Sequence, residues 1–136
     1  ATLQENFQIN AMALLYLGQW AAPGMIERGH GASVCTGNTS AYRGKANFAG
    51  FAPTKAAQRI LAESMARRLG PEGIHVAYVA IDAVIDVPWA REMFADKPDE
   101  FFCLPVDIAE ECFRVAHQAK SAWSFNVEIR PYGENW

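Results

Sequence analysis

The sequence has few cysteines, no large excess of either charge and no long apolar run, and each shortage excludes a class of protein. Three cysteines are too few, and odd in number, for a disulfide framework, and no His/Cys pair has the spacing of zinc ligands. A net charge of −3 gives no basic stripe for nucleic acid. No apolar run reaches the roughly 18 residues that a membrane span needs. We therefore expect a cytoplasmic protein with reduced thiols that binds neither nucleic acid nor membrane.

Two further absences concern the start of the chain and its glycines. The sequence lacks an initiator Met, which suggests a processed or partial product. Its glycines do not form a Gly-x-Gly-x-x-Gly run between a strand and a helix, the motif that seats a dinucleotide pyrophosphate on a helix N-terminus. The length and composition of the chain fit one globular domain, because 136 residues that are 51% hydrophobic and 20% charged suffice to bury a core.

Hydrophobic periodicity predicts alternating helices and strands in the first two thirds of the chain. Residues 2–5 form a capping-box pattern that opens a helix over residues 3–28. Apolar residues in this helix are too dense for a helix with one buried side, so we expect other structure to cover it on two sides. Residues 33–36 and 74–81 have the composition of strands buried on both faces, and residues 55–69 between them form an amphipathic helix.

The last third of the sequence predicts three more elements. Residues 88–98 form either a short lid helix or a plain surface helix with its aromatic side chains turned inward. A helix from 106 to 118 and an alternating strand from 122 to 129 follow. Right-handed crossovers between strands in this order build a parallel sheet. The prediction is therefore an α/β fold with three parallel strands and flanking helices.

Polar residues concentrate between the first strand and the helix that follows it. Asn38 comes directly after the strand, and Lys55 lies in the first turn of the helix with Phe51 four residues before it. The order strand, loop, helix places such groups at the carboxyl edge of a parallel sheet, where these folds bind ligands. Lys55 is either a solvated surface charge or a cation of that site. Asn10 has poor propensity for the helix interior, so it either bonds nearby backbone or serves the same site.

The spacing of Asn10, Asn38, Phe51 and Lys55 resembles the active site of the short-chain dehydrogenase/reductase family. The mark of that family is a Tyr-x-x-x-Lys pair, with a Ser about thirteen positions before the Tyr and a helical Asn further upstream. Phe51-Ala-Pro-Thr-Lys55 stands in place of Tyr-x-x-x-Lys, and Asn38 stands in place of the Ser. Residues 66–76, ARRLGPEGIHV, are also similar to that family. The resemblance implies that residues 1–136 form the second half of a Rossmann-like doubly wound sheet, without the nucleotide-binding half.

The resemblance also implies a role for each site residue. In the family a Tyr phenol supplies a proton, and a Lys lowers the pKa of that phenol and binds the cofactor ribose. A Ser bonds the substrate carbonyl, and a helical Asn holds a relay water. NAD or NADP carries the hydride. Phe51 has no proton to give, and Asn38 offers an amide in place of the hydroxyl. Lys55, Asp82 and Val87 fall at positions of cofactor contact, although the Pro-Gly that precedes a Thr in the family is absent and Val87 replaces that Thr.

Two hydroxyls in the loop could stand in for the missing groups, namely those of Ser40 and Tyr42. Tyr42 lies thirteen residues before Lys55 and lacks the i, i+4 relation that would set it one helical turn from the lysine. We therefore expect that this chain alone neither binds the cofactor nor carries out redox chemistry.

Three functional hypotheses follow. The first is part of an NAD(P)-dependent short-chain dehydrogenase-like oxidoreductase that is inactive as this chain. The second is a non-catalytic homo-oligomeric assembly module, built through helices 3–28 and 54–69, which in the family pair across a two-fold axis. The third is a protein that binds a small carbonyl or alcohol compound without turnover. Its pocket would be lined by Asn38, Lys55, Trp89 and Phe94.

Overall fold

A three-stranded parallel sheet organises the molecule. The computed structural model describes residues 1–136 and contains β1 (Gly31–Gly37), β2 (Ile74–Ile81) and β5 (Asn126–Ile129). They lie side by side in the order β1-β2-β5, and both pairings are parallel. The predicted α/β fold with a parallel sheet is confirmed. The last strand begins four residues later than predicted, since residue 122 ends a 3₁₀ turn and residues 123–125 are irregular.

Helices cover both faces of this sheet. One face is covered by α2 (Ala13–Arg28) and α3 (Ala52–Leu69), and the other by α5 (Pro105–Ala116). Successive side chains of β2 point to opposite faces. Its residues on the α2 and α3 side are Ile74, Val76, Tyr78 and Ala80, and those packed with α5 are Ala77, Val79 and Ile81. The core therefore has two layers, with β2 between them.

The first helix is interrupted, which the sequence did not predict. A short α1 (Leu3–Phe7) runs into one π-helical turn at Gln8–Met12 before α2 begins. The predicted capping box at the start of α1 is present, since the Thr2 hydroxyl accepts from the Glu5 N–H at 3.1 Å and the Glu5 carboxylate accepts from the Thr2 N–H at 2.6 Å. No helix of the chain combines the length and the hydrophobicity needed to cross a bilayer.

The segment after β2 is more elaborate than the predicted lid helix. The helix α4 covers only Pro88–Met93, and a parallel two-stranded sheet of β3 (Val84–Ile85) and β4 (Phe102–Cys103) brackets it. Arg91 fixes this segment. Its Nε and Nη2 donate to the two carboxylate oxygens of Asp86 at 2.6 and 2.9 Å, its Nη1 donates to Asp99 at 2.6 Å, and its guanidinium lies 4.1 Å from the ring centroid of Phe102.

Gly37 ends β1 where the chain has no room for a side chain. A Cβ built on Gly37 would overlap the hydroxyl and Cζ of Tyr78, and it would lie 2.9 Å from Cε1 of the same ring. Tyr78 is fully buried in β2, so its ring cannot swing away into solvent. The close approach of β1 to the phenol therefore requires glycine at position 37.

Replacing Gly37 with Ala should destabilise the protein. Overpacking in a well-packed core typically costs about 1–3 kcal/mol, and here the clash involves a rigid buried ring. We expect Gly37→Ala to lower the free energy of unfolding, measured by urea denaturation, by at least about 1 kcal/mol. Gly44→Ala is the matched control, because no atom lies within 4 Å of its Cβ position. Equal stabilities for the two variants would contradict the proposed clash.

Candidate active site

The carboxyl ends of the parallel strands bring two predicted site residues to one edge of the sheet. Asn38 directly follows β1 and Asp82 directly follows β2. Arg130, which the sequence did not single out, directly follows β5 at the same edge. Residues at this edge of an open α/β sheet are placed to meet a ligand, because the connections to helices leave a crevice there. The α3 helix begins at Ala52, three residues before the predicted 55–69, and Lys55 lies in its first turn as expected.

Lys55 is buried without a partner of opposite charge. Only 7% of its surface is exposed, and none of the ion pairs or side-chain hydrogen bonds of the chain includes its ammonium. Burial lowers the pKa of Lys55, and the nearby Cys35 acts in the opposite direction. Burial also raises the pKa of the Cys35 thiol, which Lys55 partly offsets. An uncompensated buried cation costs stability, and such perturbed groups are more frequent at functional sites than elsewhere.

Phe51 and Asn10 are joined through a residue that the sequence analysis overlooked. Phe51 is the N-cap of α3, and its carbonyl oxygen accepts from the hydroxyl of Thr54 at 2.6 Å and from the Lys55 N–H at 3.2 Å. The Thr54 hydroxyl in turn accepts from the Asn10 side-chain amide at 2.9 Å. Asn10 therefore bonds a side chain of α3, not the adjacent backbone. Its role in holding a relay water stays a prediction.

The π-helical turn accompanies the inward position of Asn10. Ala13 donates its N–H to the carbonyl of Gln8, five residues earlier, in place of the usual four. Such turns add one residue to a helical turn and are frequent at functional sites. Thr54 is fully buried and Asn10 is 9% exposed, so their bond ties the first helical segment to α3 in the protein interior.

Asn38 and Tyr42 already have partners within the chain. The Asn38 side-chain oxygen accepts from the Ser40 N–H at 3.0 Å and caps the 3₁₀ turn at Thr39–Ala41. The Tyr42 hydroxyl donates to the side-chain oxygen of Asn126 at 2.7 Å, and Arg59 Nε donates to the same oxygen at 3.0 Å. The Tyr42 phenol is thus held against β5, which weakens its candidacy as a replacement proton donor.

A second phenol, Tyr78, lies beneath this edge and was not singled out from the sequence. It has no exposed surface, and its hydroxyl donates to the Gln58 side-chain oxygen over a long 3.5 Å. Burial raises the pKa of Tyr78 well above that of an ordinary tyrosine. A fully buried phenol with a raised pKa is out of reach of a substrate and holds its proton tightly. No local signal in the sequence marks Tyr78, because its contact with Gly37 depends on the register of β1 and β2.

The two remaining predicted cofactor positions have structural contacts. Asp82 forms an ion pair with Arg130 at 3.1 Å between carboxylate oxygen and Nε, and Arg130 also bonds Glu128 at 2.7 Å. Val87 is the N-cap of α4, and its carbonyl accepts from the N–H groups of Ala90 and Arg91. Their contact with a cofactor stays a prediction.

The cavities of the molecule do not coincide with the predicted ligand pocket. A cavity of ≈ 830 Å³ lies between α5, the α4 segment and the residues after β5. Another of ≈ 370 Å³ lies between the first helices, β1 and α3, and includes Asn10, Cys35 and Gln58 in its lining. None of the main cavities unites Asn38, Lys55, Trp89 and Phe94. No group of His, Cys, Asp or Glu side chains is arranged to hold a metal ion.

Curated proteins of similar sequence include a reductase and a dehydrogenase. L-xylulose reductase of Mus musculus is 34% identical over 92 residues, which cover 67% of this chain and 37% of that protein. D-xylose 1-dehydrogenase of Caulobacter vibrioides is 33% identical over 75 residues, which cover 55% of this chain and 30% of that protein. The matched part thus spans about a third of the length of these relatives.

Solved structures match almost the whole chain. A short-chain dehydrogenase from Rhodopseudomonas palustris is 34% identical with a TM-score of 0.76, and the match covers 96% of this chain and 52% of that one. A short chain dehydrogenase/reductase family protein is 26% identical with a TM-score of 0.82 over 96% of this chain and 57% of that one. A family model described as enoyl-(acyl carrier protein) reductase matches residues 1–101. With its parallel sheet and the buried lysine at the carboxyl edge, the chain belongs to the short-chain dehydrogenase/reductase family.

Proposed function

We propose that this chain is the second half of a short-chain dehydrogenase/reductase-like protein that keeps the lysine of the cofactor site and lacks the acid of the reaction. The observation that carries the proposal is the buried, unpaired Lys55 in the first turn of α3, with Phe51 one helical turn before it. Burial without a partner costs free energy, so a lysine retained there is expected to serve a ligand.

The ammonium of Lys55 fits one contact with a dinucleotide. It is a donor without an acceptor in the chain, and the ribose of NAD or NADP offers hydroxyl oxygens to it. The cofactor, when bound, supplies the hydride. This chain has no Gly-x-Gly-x-x-Gly run to seat the pyrophosphate, so we propose that it does not hold the cofactor by itself.

Proton transfer is the step for which these residues are least suited. Reduction of a carbonyl needs a proton at the oxygen as the hydride arrives, and a positioned acid typically contributes about 10²- to 10⁴-fold to the rate. Phe51 supplies none, Tyr42 is bonded to Asn126, and Tyr78 is fully buried. Asn38 keeps a free side-chain N–H group that can donate to a carbonyl oxygen. The site therefore fits binding of a carbonyl or alcohol compound better than its turnover.

A second candidate function is assembly, which the exposed apolar side chains favour. The first helical segments and α3 leave large apolar side chains exposed. The most exposed of these are Ile9, Tyr16, Leu17, Trp20 and Ile60, with exposed fractions from 53% to 83%. Ile9, Leu17 and Trp20 line one cavity together, and exposed apolar clusters of this kind mark interaction sites. We propose that copies of the chain associate through these helices into a homo-oligomer.

Restoring the missing hydroxyls tests the proposed loss of the acid. With NADH or NADPH and a panel of small ketones, we expect the protein that carries this chain to show no oxidation of the nucleotide. Provided that the protein binds the cofactor, the double variant Phe51→Tyr/Asn38→Ser should oxidise the nucleotide about 10²- to 10⁴-fold faster than the unmodified protein. Phe48→Tyr is the control, because it adds a phenol whose ring centroid lies 6.5 Å from that of Phe51. If the unmodified protein turns over a ketone and the Lys55→Met variant does so at the same rate, the proposal is wrong.

Removing the buried charge should stabilise the fold. Since burial lowers the pKa of Lys55, the unfolded chain binds this proton more tightly than the folded one does. The free energy of unfolding should then rise with pH between the lowered pKa and the ordinary pKa of lysine. Lys55→Met should remove this rise and increase the free energy of unfolding at neutral pH, because the partly desolvated charge is no longer present. The exposed Lys45→Met is the control, and a loss of stability specific to Lys55→Met would indicate a structural role instead.

Sedimentation velocity tests the proposed assembly. We expect a dimer or tetramer, and Trp20→Glu should shift the protein to smaller species because it buries a charge in the interface. Trp89→Glu is the matched control, since Trp89 is also exposed but lies on α4. A monomer at micromolar concentration for the unmodified protein would refute the assembly.

A further inference from the structure

A mostly apolar cavity lies between the sheet and the helices on the α2 and α3 side. This α2–α3 cavity has a volume of ≈ 370 Å³, and 13 of the 18 residues that line it are hydrophobic. The other five are Gly18, Asn10, Ser33, Thr36 and Gln58, so no acidic, basic or histidine side chain takes part in the lining. Sites for small molecules typically have this size and combine an apolar wall with a few polar groups. The α2–α3 cavity therefore favours an uncharged, mainly apolar ligand.

The side-chain oxygen of Asn10 is an unused acceptor in this cavity. The Thr54 hydroxyl donates its proton to the carbonyl of Phe51 at 2.6 Å, so its oxygen can only accept in the 2.9 Å bond with Asn10. Nδ2 of Asn10 is therefore the donor of that bond, and Oδ1 is left without one. Asn10 is 9% exposed and lines none of the other main cavities.

The side-chain nitrogen of Gln58 is an unused donor in the same cavity. Gln58 is 8% exposed, and its Oε1 accepts from the Tyr78 hydroxyl at 3.5 Å, whereas its Nε2 makes no hydrogen bond within the chain. Neither this nitrogen nor Oδ1 of Asn10 is sealed off. The one side-chain nitrogen or oxygen that lacks both a hydrogen bond and accessible surface is Nδ1 of His75. A molecule in the α2–α3 cavity can therefore reach both amides.

The two free groups lie toward one end of the cavity, and the other end is apolar. Asn10 bonds the first turn of α3, and Gln58 lies one turn further on against Tyr78, which pairs with Cys35 near the end of β1. The opposite end lies where α3 ends and β2 begins. Four residues of β2 separate the two ends, which corresponds to about 13 Å. The apolar end is lined by Met25, Leu69 and Ile74.

We propose that the α2–α3 cavity binds a primary amide that carries an alkyl chain. The carbonyl of such an amide accepts from Nε2 of Gln58, its N–H group donates to Oδ1 of Asn10, and its chain lies along the apolar wall. Two polar groups that are nine-tenths buried would thereby complete their hydrogen bonds.

The same geometry disfavours a fatty acid of equal chain length. A carboxylate has no N–H group for Oδ1 of Asn10, and it brings a charge that no side chain of the lining neutralises. Lys55 lies near Cys35 but is not part of the lining. The cavity should therefore discriminate between the amide and the carboxylate.

Carbon NMR of protein labelled at its methionine methyl groups tests this inference directly. The chain has four methionines, of which Met25 and Met65 line the cavity and Met12 and Met93 do not. Octanamide and octanoate are titrated separately at neutral pH. We expect octanamide to shift the methyl signals of Met25 and Met65 saturably and to leave that of Met93 unchanged, with at least about tenfold higher affinity than octanoate.

Two results would overturn the proposal. One is the absence of a saturable shift at Met25 and Met65, and the other is equal affinity for octanamide and octanoate. A shift confined to Met93 would count as the first result, because it would place the ligand outside the α2–α3 cavity.

A matched pair of variants tests the polar contact. Gln58→Leu keeps the approximate size of the side chain but removes the donor, and it should weaken octanamide about tenfold in calorimetry. Gln19→Leu makes the same change at an exposed position of α2 outside the lining, and it should leave the affinity unchanged. Equal affinities of Gln58→Leu and the unmodified protein would refute the contact. If Gln58→Leu does not fold, the two titrations of the unmodified protein decide the question.

Discussion

The burial of β2 on both faces is the constraint on which the rest of the structure depends. All eight of its residues are buried, with α2 and α3 on one side and α5 on the other, and with β1 and β5 along its two edges. Because the three strands are parallel, their carboxyl ends share one edge and their amino ends the other. The same strand therefore sets Asp82 at the candidate active site and His75 at the amino edge of the sheet, at opposite ends of one rigid element.

The elements that the sequence predicted well are those with a strong local signal. The apolar run from 74 to 81 has the same bounds as β2, because a strand buried on both faces tolerates almost no polar residue. The helix after Phe51 was also placed to within a few residues, since Pro53 near its start and Gly70 after its end mark its bounds. With two strands and this helix in place, the position of Lys55 at the carboxyl edge followed from topology alone.

The features that the sequence did not predict depend on contacts between distant residues. The bond between Asn10 and Thr54 joins positions 44 residues apart, and β3 pairs with β4 through only two residues of each strand. Neither contact has a local pattern. The sequence also predicted one helix over residues 88–98, although α4 ends at Met93 and the residues after it form a turn. The burial of Tyr78 under Gly37 likewise needed the register of two strands. A single sequence gives the residue at each position but does not show which distant residues come into contact.

The π-helical turn at Gln8–Met12 has a consequence for how the surface of α2 is orientated. One extra residue in a helical turn rotates everything after it by about 100° about the helix axis. The apolar residues before and after the turn therefore follow two different helical phases. Insertion or loss of a single residue there would redirect Trp20 and its neighbours to a new side of the molecule, so an interface could change during evolution without any substitution within it.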